Sequence, residues 1–574
     1  MSRLRISSLV LVVACGALGA PGAIRSQSHG ATIAPSGEAP LFDDLGDYHR
    51  TVSTYLPVAQ RYFDQGLRLL FAFNLEEAER SFREAARVDP TCSACSWGVA
   101  MALGPHINFP ATPERTVAAA AAAQDALRTA AGATEVERAL AEAIAKRYSD
   151  PAPATPEEQA ALDQSYSDAM RAVAARFPGD ADVQYLAAEA MMNLHPWDLY
   201  EPDGKEKPWT AGIVSFIEAA LARAPEHPGL CHLYIHSVEA STRPGRALTA
   251  AENLRTQIPG AGHLVHMPSH IFQRVGRYAD SALANQRAIA ADARYLPDAG
   301  GFFLYPMYAA HNHQFLWLAA QMEGQSAIAF AAARDTADRL PLEMLREMPG
   351  FDAWKAYPIW TLVRFGQWGA LLEMPMPDAE FPYLSAVSRL ARSIALSRFG
   401  RTEEAEAERA AAAATLAAVP GEAVEGFNPV SVLGGIAMAI VDGELARAAG
   451  DYPRAVAAFE KGVALEDGLR YNEPSDWYFP VRHVLGATLL EAGRPADAER
   501  IFRRDLEINA ENGWALTGLV AALRRQGRER EAASIDRRLA IAWARADLEL
   551  DKLAAPTERA AVSRAAPADG STGR

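Results

Sequence analysis

Four histidines stand on a lattice. His232 and His236 are four residues apart in CHLYIHSVE, His266 and His270 are four apart in HMPSH, and each of the first pair precedes its counterpart by 34 residues. The whole chain of 574 residues holds only 13 histidines. On a helix, residues four apart bring their β-carbons within about 6 Å on one face. A histidine pair of that kind offers two imidazole donors side by side, the HxxxH arrangement that suits a transition metal with bonds of about 2.0–2.2 Å. Glu239 follows His236 by nearly one turn, where a carboxylate can ligate, hold an imidazole proton or serve as a general base toward water. Cys231 adjoins the set but points about 100° away from His232, so it is left out. Imidazoles with little carboxylate favour Cu or Zn, with Fe a further candidate, over Mg or Ca. Two other readings stand beside a metal site: a nonmetal ligand or catalytic histidine cluster, and a structural patch satisfied through Tyr234, Ser237, Ser269 or Gln273.

The spacing of 34 directs attention to a repeat. From 479 the chain reads FPVRHVLGATLLEAGRPADAERIFRRDLEINA, with Gly486, Gly493, Ala498, Phe502 and Ala510 at positions 8, 15, 20, 24 and 32 of a 34-residue unit. Gly443, Gly450, Tyr452, Ala455 and Phe459 fit the preceding unit, and Gly527 and Ala532 fit the following one. Upstream, Gly66, Ala78, Phe82 and Pro90 fit a first unit, Gly400 and Ala405 another, and Ala247, Pro259, Gly276, Tyr278 and Ser281 fall in frame around the histidines. This resembles the tetratricopeptide repeat, a helix-turn-helix unit whose small residues let two helices approach closely. The resemblance covers roughly 59–90, 228–340 and 386–545. It implies an all-α solenoid, and proteins of this kind usually bind peptides or partner domains in the concave groove.

The same resemblance places residues on the inner surface, because positions 2, 5, 9 and 12 of each first helix line the groove. Counted from Pro228, His232 is at 5, His236 at 9 and Glu239 at 12; counted from Gly262, His263 is at 2, His266 at 5 and His270 at 9. A third unit starting near 310 puts His311 at 2, His313 at 4 and Gln314 at 5. Packed helix axes lie about 8–10 Å apart, so the four lattice imidazoles are expected to converge on one common point. His263 and His311 are additional candidates. Binding of a metal there is expected to weaken as pH falls through the imidazole range near 6.5.

Nothing in the pattern of β-branched residues competes with helix, so the fold is expected to be an α-solenoid over 46–555, irregular near 104–180 and 340–380 where prolines accumulate. Residues 1–26 have basic Arg3 and Arg5, an apolar run and then small residues, the layout of a secretory signal. Residues 27–45 read as a linker and 556–574 as a disordered tail. The chain is expected to be exported to the periplasm or cell envelope. Cys15 loosely fits a bacterial lipobox, giving a lipid anchor as one reading; cleavage near Ala20–Ala23 with a soluble product is the other. A net charge of −15 with no basic block argues against nucleic acid. Cys92 and Cys95 read as a disulfide, a redox or metal pair, or two small helix residues.

Three polar-aromatic segments can close the groove or simply pack. They are NLHPWDLYEPDG with His195, Trp197, Asp198 and Tyr200, ALGPHINFP with His106 and Asn108, and YNEPSDWYFPVRH with Glu473, Asp476, Trp477, Tyr478, Arg482 and His483. The leading functional expectation is an exported repeat protein with a histidine-rich metal site on its concave face, either a metalloenzyme, with Glu239 as the proton carrier, or a metal-handling factor. The alternative is a non-catalytic scaffold for a peptide or an envelope protein partner.

Overall fold

The computed structural model describes residues 39–153, 155–299, 305–340, 342–347 and 350–548. The signal-like segment with Cys15, residues 27–38 of the expected linker and the tail from 556 lie outside them. The part of the expected linker that is described, 39–45, continues into a strap that reaches the first helix at Pro57. Leu45 and Val52 of this strap are buried, and Arg50 bonds both Asp180 and Asp182 at 2.7–2.9 Å.

The architecture is an all-α, tetratricopeptide-type solenoid. Antiparallel helix pairs follow one another, as in Pro57–Phe71 with Leu75–Val88, Val430–Ala448 with Tyr452–Glu466, and Val481–Glu491 with Pro495–Ile508. A two-stranded ribbon, Val424–Glu425 with Asn428–Pro429, is the one named sheet among the described residues. The helices pair because position 8 has no side chain where position 24 carries a phenylalanine. A β-carbon on Gly66 would lie 2.7 Å from the Phe82 ring, on Gly443 2.5 Å from Phe459, and on Gly486 2.4 Å from Phe502. Gly486→Leu is therefore expected to destabilise the C-terminal units by about 1–3 kcal/mol or more. Denaturant unfolding checks this, and an unchanged midpoint would mean the frame is misplaced.

At position 15, where the first helix turns into the second, the backbone is left-handed in unit after unit: Gly276, Gly324, Gly366, Gly400, Gly450, Gly493 and Gly527 all have φ between 66° and 78°. In the first unit the same place is taken by Phe73, at φ 55°.

The solenoid closes on itself. Asp547 accepts from the backbone N–H groups of Ser326 and Ala327, Trp514 donates to the Gln321 carbonyl, and Trp543 donates to the Met322 carbonyl. A β-carbon on Gly276 would sit 2.5 Å from the Ala510 carbonyl oxygen. The last units thus pack against the middle ones. In consequence the inner face of the histidine units is interior, where an open groove had been expected.

Cys92 and Cys95 form a disulfide, and Cys92 caps the helix Ser93–Leu103. Cys231 is a buried free thiol whose pKa burial pushes up to about 12. No described helix is long and apolar enough to cross a membrane.

Candidate metal centre

Three consecutive first helices supply the site. Helix Pro228–Val238, started by Pro228 and capped by His227 accepting from the Leu230 N–H, carries His232 and His236. The next first helix is split at Pro268 into Gly262–His266 and Pro268–Arg274, so that His263 and His266 precede the break and His270 follows it. Helix Tyr305–Met322 carries His311. All are buried except His311, which is half-buried; His232 and His266 have no exposed surface.

Hydrogen bonds fix the ring orientation of five of these histidines. His232 Nδ1 meets the Phe71 carbonyl at 2.6 Å, and a carbonyl can only accept, so the proton is on Nδ1. His236 Nδ1 and His270 Nδ1 meet the two oxygens of Glu239 at 2.8 and 2.7 Å. His266 Nδ1 lies 2.7 Å from Asn285 Oδ1, whose amide nitrogen donates to the Ser281 carbonyl and so leaves Oδ1 as acceptor. His311 Nδ1 lies 2.9 Å from Gln314 Oε1, and the Gln314 amide nitrogen donates to Tyr357. Each of the five rings is therefore Nδ1–H, and each Nε2 carries a lone pair.

These lone pairs have no proton to meet. Nε2 of His232 and of His236, and both nitrogens of His263, are buried without a hydrogen-bond partner among the described residues. His266 Nε2 and His270 Nε2 face each other at 2.6 Å, acceptor against acceptor. A buried unpaired acceptor costs about 1–3 kcal/mol, and a cation is one species that could meet such lone pairs.

The four lattice imidazoles expected to share one point are divided between two groups, each joined by one of the additional candidates. His232, His236 and His263 form one group, and His266, His270 and His311 another, with the donor atoms of each group within 4.8 Å of one another. Ring centroids within the groups are 4.9, 5.2 and 6.5 Å apart in the first and 4.6, 4.9 and 6.0 Å apart in the second. His236, Glu239 and His270 also lie close enough to hold an ion. Their contacts, however, are the Nδ1–carboxylate hydrogen bonds already described, which turn Nε2 of both rings away from Glu239.

Burial holds His232, His263, His266 and His270 below the ordinary imidazole range, aided by repulsion among neighbouring rings, and pushes His311 down to about 3. All five are neutral at pH 7, the form that ligates a metal. Burial alone would raise Glu239, yet His236 and His270 hold it well below the usual carboxylate range. Glu473, from the segment 471–478, reaches the Nδ1 edge of His270. Burial and the Glu239 carboxylate push Glu473 well above its ordinary value, so the pair holds one proton beside the imidazoles. Sequence reading placed Glu473 only in a candidate lid.

Phe73 walls the first group: its ring lies 4.2 Å from His232, 6.0 Å from His236 and 5.9 Å from His263. Phe315 does the same for the second, at 4.5, 4.6 and 4.8 Å from His266, His270 and His311. Relieving the left-handed strain with Phe73→Gly gains about 1–2 kcal/mol, while truncating a buried phenylalanine loses about 3–5. The variant is expected to be less stable by about 1–4 kcal/mol in denaturant unfolding. A more stable variant would show that the ring contributes nothing at this place.

Of the other expected residues, Trp197 packs edge-on against His236 at 5.6 Å and donates to Asn108. His195, Trp197, Tyr200, Arg470 and Tyr471 line a narrow cleft, about 40 Å³, that ends on His236 and Glu239. His106 lies against Phe73, and burial lowers it to about 3. His483 is elsewhere, bonded to Asp505 and Arg364; Asp476 bonds Asn428 and Asn472. Trp477 and Tyr478 pack around Trp360, and Arg482 pairs with Asp467.

No protein-family model matches this chain. A stretch of 99 residues is 39% identical to cellulose synthase operon protein C of Xanthomonas axonopodis pv. citri (strain 306), 17% of this chain and 6% of that protein. The chain therefore spans a small fraction of that relative's length. Among solved structures, the human IFIT1 dimer with PPP-AAAA is 11% identical over 85% of this chain and 91% of its own, with a TM-score of 0.29. The APC/C hetero-tetramer Cut9-Hcn1 is 13% identical over 81% and 76%, TM-score 0.29. Yeast Tom70 is 11% identical over 84% and 92%, TM-score 0.28. At these values no residue or activity carries over, and the repeat assignment rests on the helix packing described above.

Proposed function

We propose that this chain is a metal-binding helical-repeat protein, in which the closed solenoid buries a transition-metal centre of neutral imidazoles. The observation that carries the reading is the pair of lone-pair-bearing nitrogens, His266 Nε2 and His270 Nε2, 2.6 Å apart in the interior. A proton between them would make a buried imidazolium, which burial opposes. A metal ion satisfies both. Copper or zinc suits the donor set best, with iron the further candidate. Glu239 orients two rings and stands with Glu473 beside His270. If the centre is catalytic, those two carboxylates carry protons at the end of the cleft beneath Trp197 and Tyr200.

Export fits this reading, since the signal-like residues 1–26 would deliver the chain to a compartment where the Cys92–Cys95 disulfide persists. A peptide or envelope protein partner remains the second reading, because helical repeats present extended surfaces; the interior position of the histidines separates it from this site.

Competition titration of the metal-free protein with Cu(I) and with Zn(II) tests the proposal. Tight binding is expected, and its pH dependence is specific. A ring whose folded pKa lies below 6.5 stays neutral to lower pH, so affinity should change less than about tenfold from pH 8 to 6. Failure to bind either ion at any of these pH values would refute the reading, and a steep loss centred on pH 6.5 would place the binding on exposed histidines.

A further inference from the structure

We infer that the centre holds two metal ions, one bound by His232, His236 and His263 and the other by His266, His270 and His311. The inference rests on the metal-binding reading above and concerns the number and grouping of the ions. Its strongest support is that the second group is the first moved along by one repeat. His232 and His236 occupy positions 5 and 9 of the unit from Pro228, and His263 occupies position 2 of the next; His266 and His270 occupy positions 5 and 9 of the unit from Gly262, and His311 position 2 of the one after. Each donor set thus spans one helix pair of neighbours in the same way, and the chain builds it twice.

The surroundings are alike in kind, although Phe73 and Phe315 occupy different repeat positions. One phenylalanine walls each group, Phe73 the first and Phe315 the second. In each group the two histidines at positions 5 and 9 have their Nδ1 atoms held by an oxygen acceptor, leaving Nε2 as donor. The donor atoms within a group lie within 4.8 Å of one another; two ligands on one ion can be at most about 4.2 Å apart, twice the bond length, so small rotations complete each set. A single ion taking all six imidazoles would have to draw His232 and His311 together across the seam. Across the seam His236 lies 5.5 Å from His270 and His263 5.9 Å from His266, ring centre to ring centre, and the Glu239 carboxylate spans it with one oxygen on His236 and one on His270.

Charge points to the ions. Each set is three imidazoles with no carboxylate ligand, and the carboxyl groups at ion-pair distance from these rings among the described residues are Glu239 and Glu473. Two monovalent ions leave less uncompensated charge beside this carboxyl pair than two divalent ions would, and uncompensated charge is costly in a low-dielectric interior. Copper in its reduced state is the imidazole-binding ion of that charge.

The test is the stoichiometry of the full-length mature chain titrated anaerobically with Cu(I), with bound copper counted by elemental analysis after desalting. Two ions per chain are expected, with His263→Asn and His311→Asn each retaining one. One ion in the wild-type protein would overturn the two-ion centre while leaving the metal-binding reading intact; no ion would overturn both. Because the wild-type count alone decides the number, failure of a variant to fold, seen by circular dichroism, does not rescue the inference. If both variants fold and each still binds two ions, or each binds none, the grouping proposed here is wrong.

Discussion

Replacing Glu239 by alanine is expected to weaken metal binding about 10–100-fold, the usual effect of losing a carboxylate that orients a ligating histidine, while the number of ions bound stays the same. The side chain touches no donor nitrogen. Its two oxygens take the Nδ1 protons of His236 and His270, and without them each ring is free to turn or to change tautomer, presenting Nδ1–H where a lone pair is needed. Glu473 still reaches His270, so the larger disturbance should fall on His236. Competition titration of the metal-free variant measures this. Affinity equal to wild type would show that packing against Phe73 and Trp197 suffices to hold the rings. Loss of one ion outright would mean that Glu239 is itself a ligand.

A larger effect is expected for His270→Ala. This ring stands between carboxylates and donor set: Nδ1 meets Glu239 and Glu473, and Nε2 meets His266. Removing it leaves Glu239 and Glu473 facing a cavity in a site where neither is exposed. Leaving a buried carboxylate without its hydrogen-bond donor costs about 3 kcal/mol or more, to which the loss of the stabilisation conferred by a bound ion is added when metal is present. The metal-free variant should therefore unfold at clearly lower urea than metal-free wild type, and metal should no longer raise its midpoint through the second group. His311→Ala provides the comparison, since that ring is half-buried and contacts neither carboxylate. Its metal-free stability should change by about 1–2 kcal/mol at most. Equal destabilisation by the two substitutions would contradict the role given to the carboxylates.

What could be read from the sequence was what the repeat carries. A period of 34 with glycine at 8 and 15 and phenylalanine at 24 requires paired helices, and positions 2, 5 and 9 then put His232, His236, His263, His266, His270 and His311 on inner faces. What escaped was set by parts of the chain that the repeat does not relate. Glu473 arrives from a loop about two hundred residues after His270, and no periodicity ties the two together. The Phe71 carbonyl, which orients His232, is a backbone atom with no trace in side-chain pattern. Phe73 carries a signal in the sequence, because it stands where seven other units have glycine. Convergence on a single point was expected because matching heights on neighbouring helices were treated as one level. In the structure the histidine at position 2 of each following unit lies beside those at positions 5 and 9 of the unit before it.

Closure of the solenoid was also invisible in the repeat frame, since it depends on Trp514, Trp543 and Asp547 meeting the turn after Tyr305–Met322. The histidines of the site other than His311 are buried, and burial is what makes unpaired imidazole nitrogens costly.

The most direct test of the metal-binding reading is elemental analysis of the protein purified without an affinity tag, and without chelators, from the compartment in which it resides. The account predicts a transition metal in stoichiometric amount with respect to the chain. Protein that is folded, retains all six histidines and carries no such metal would contradict it.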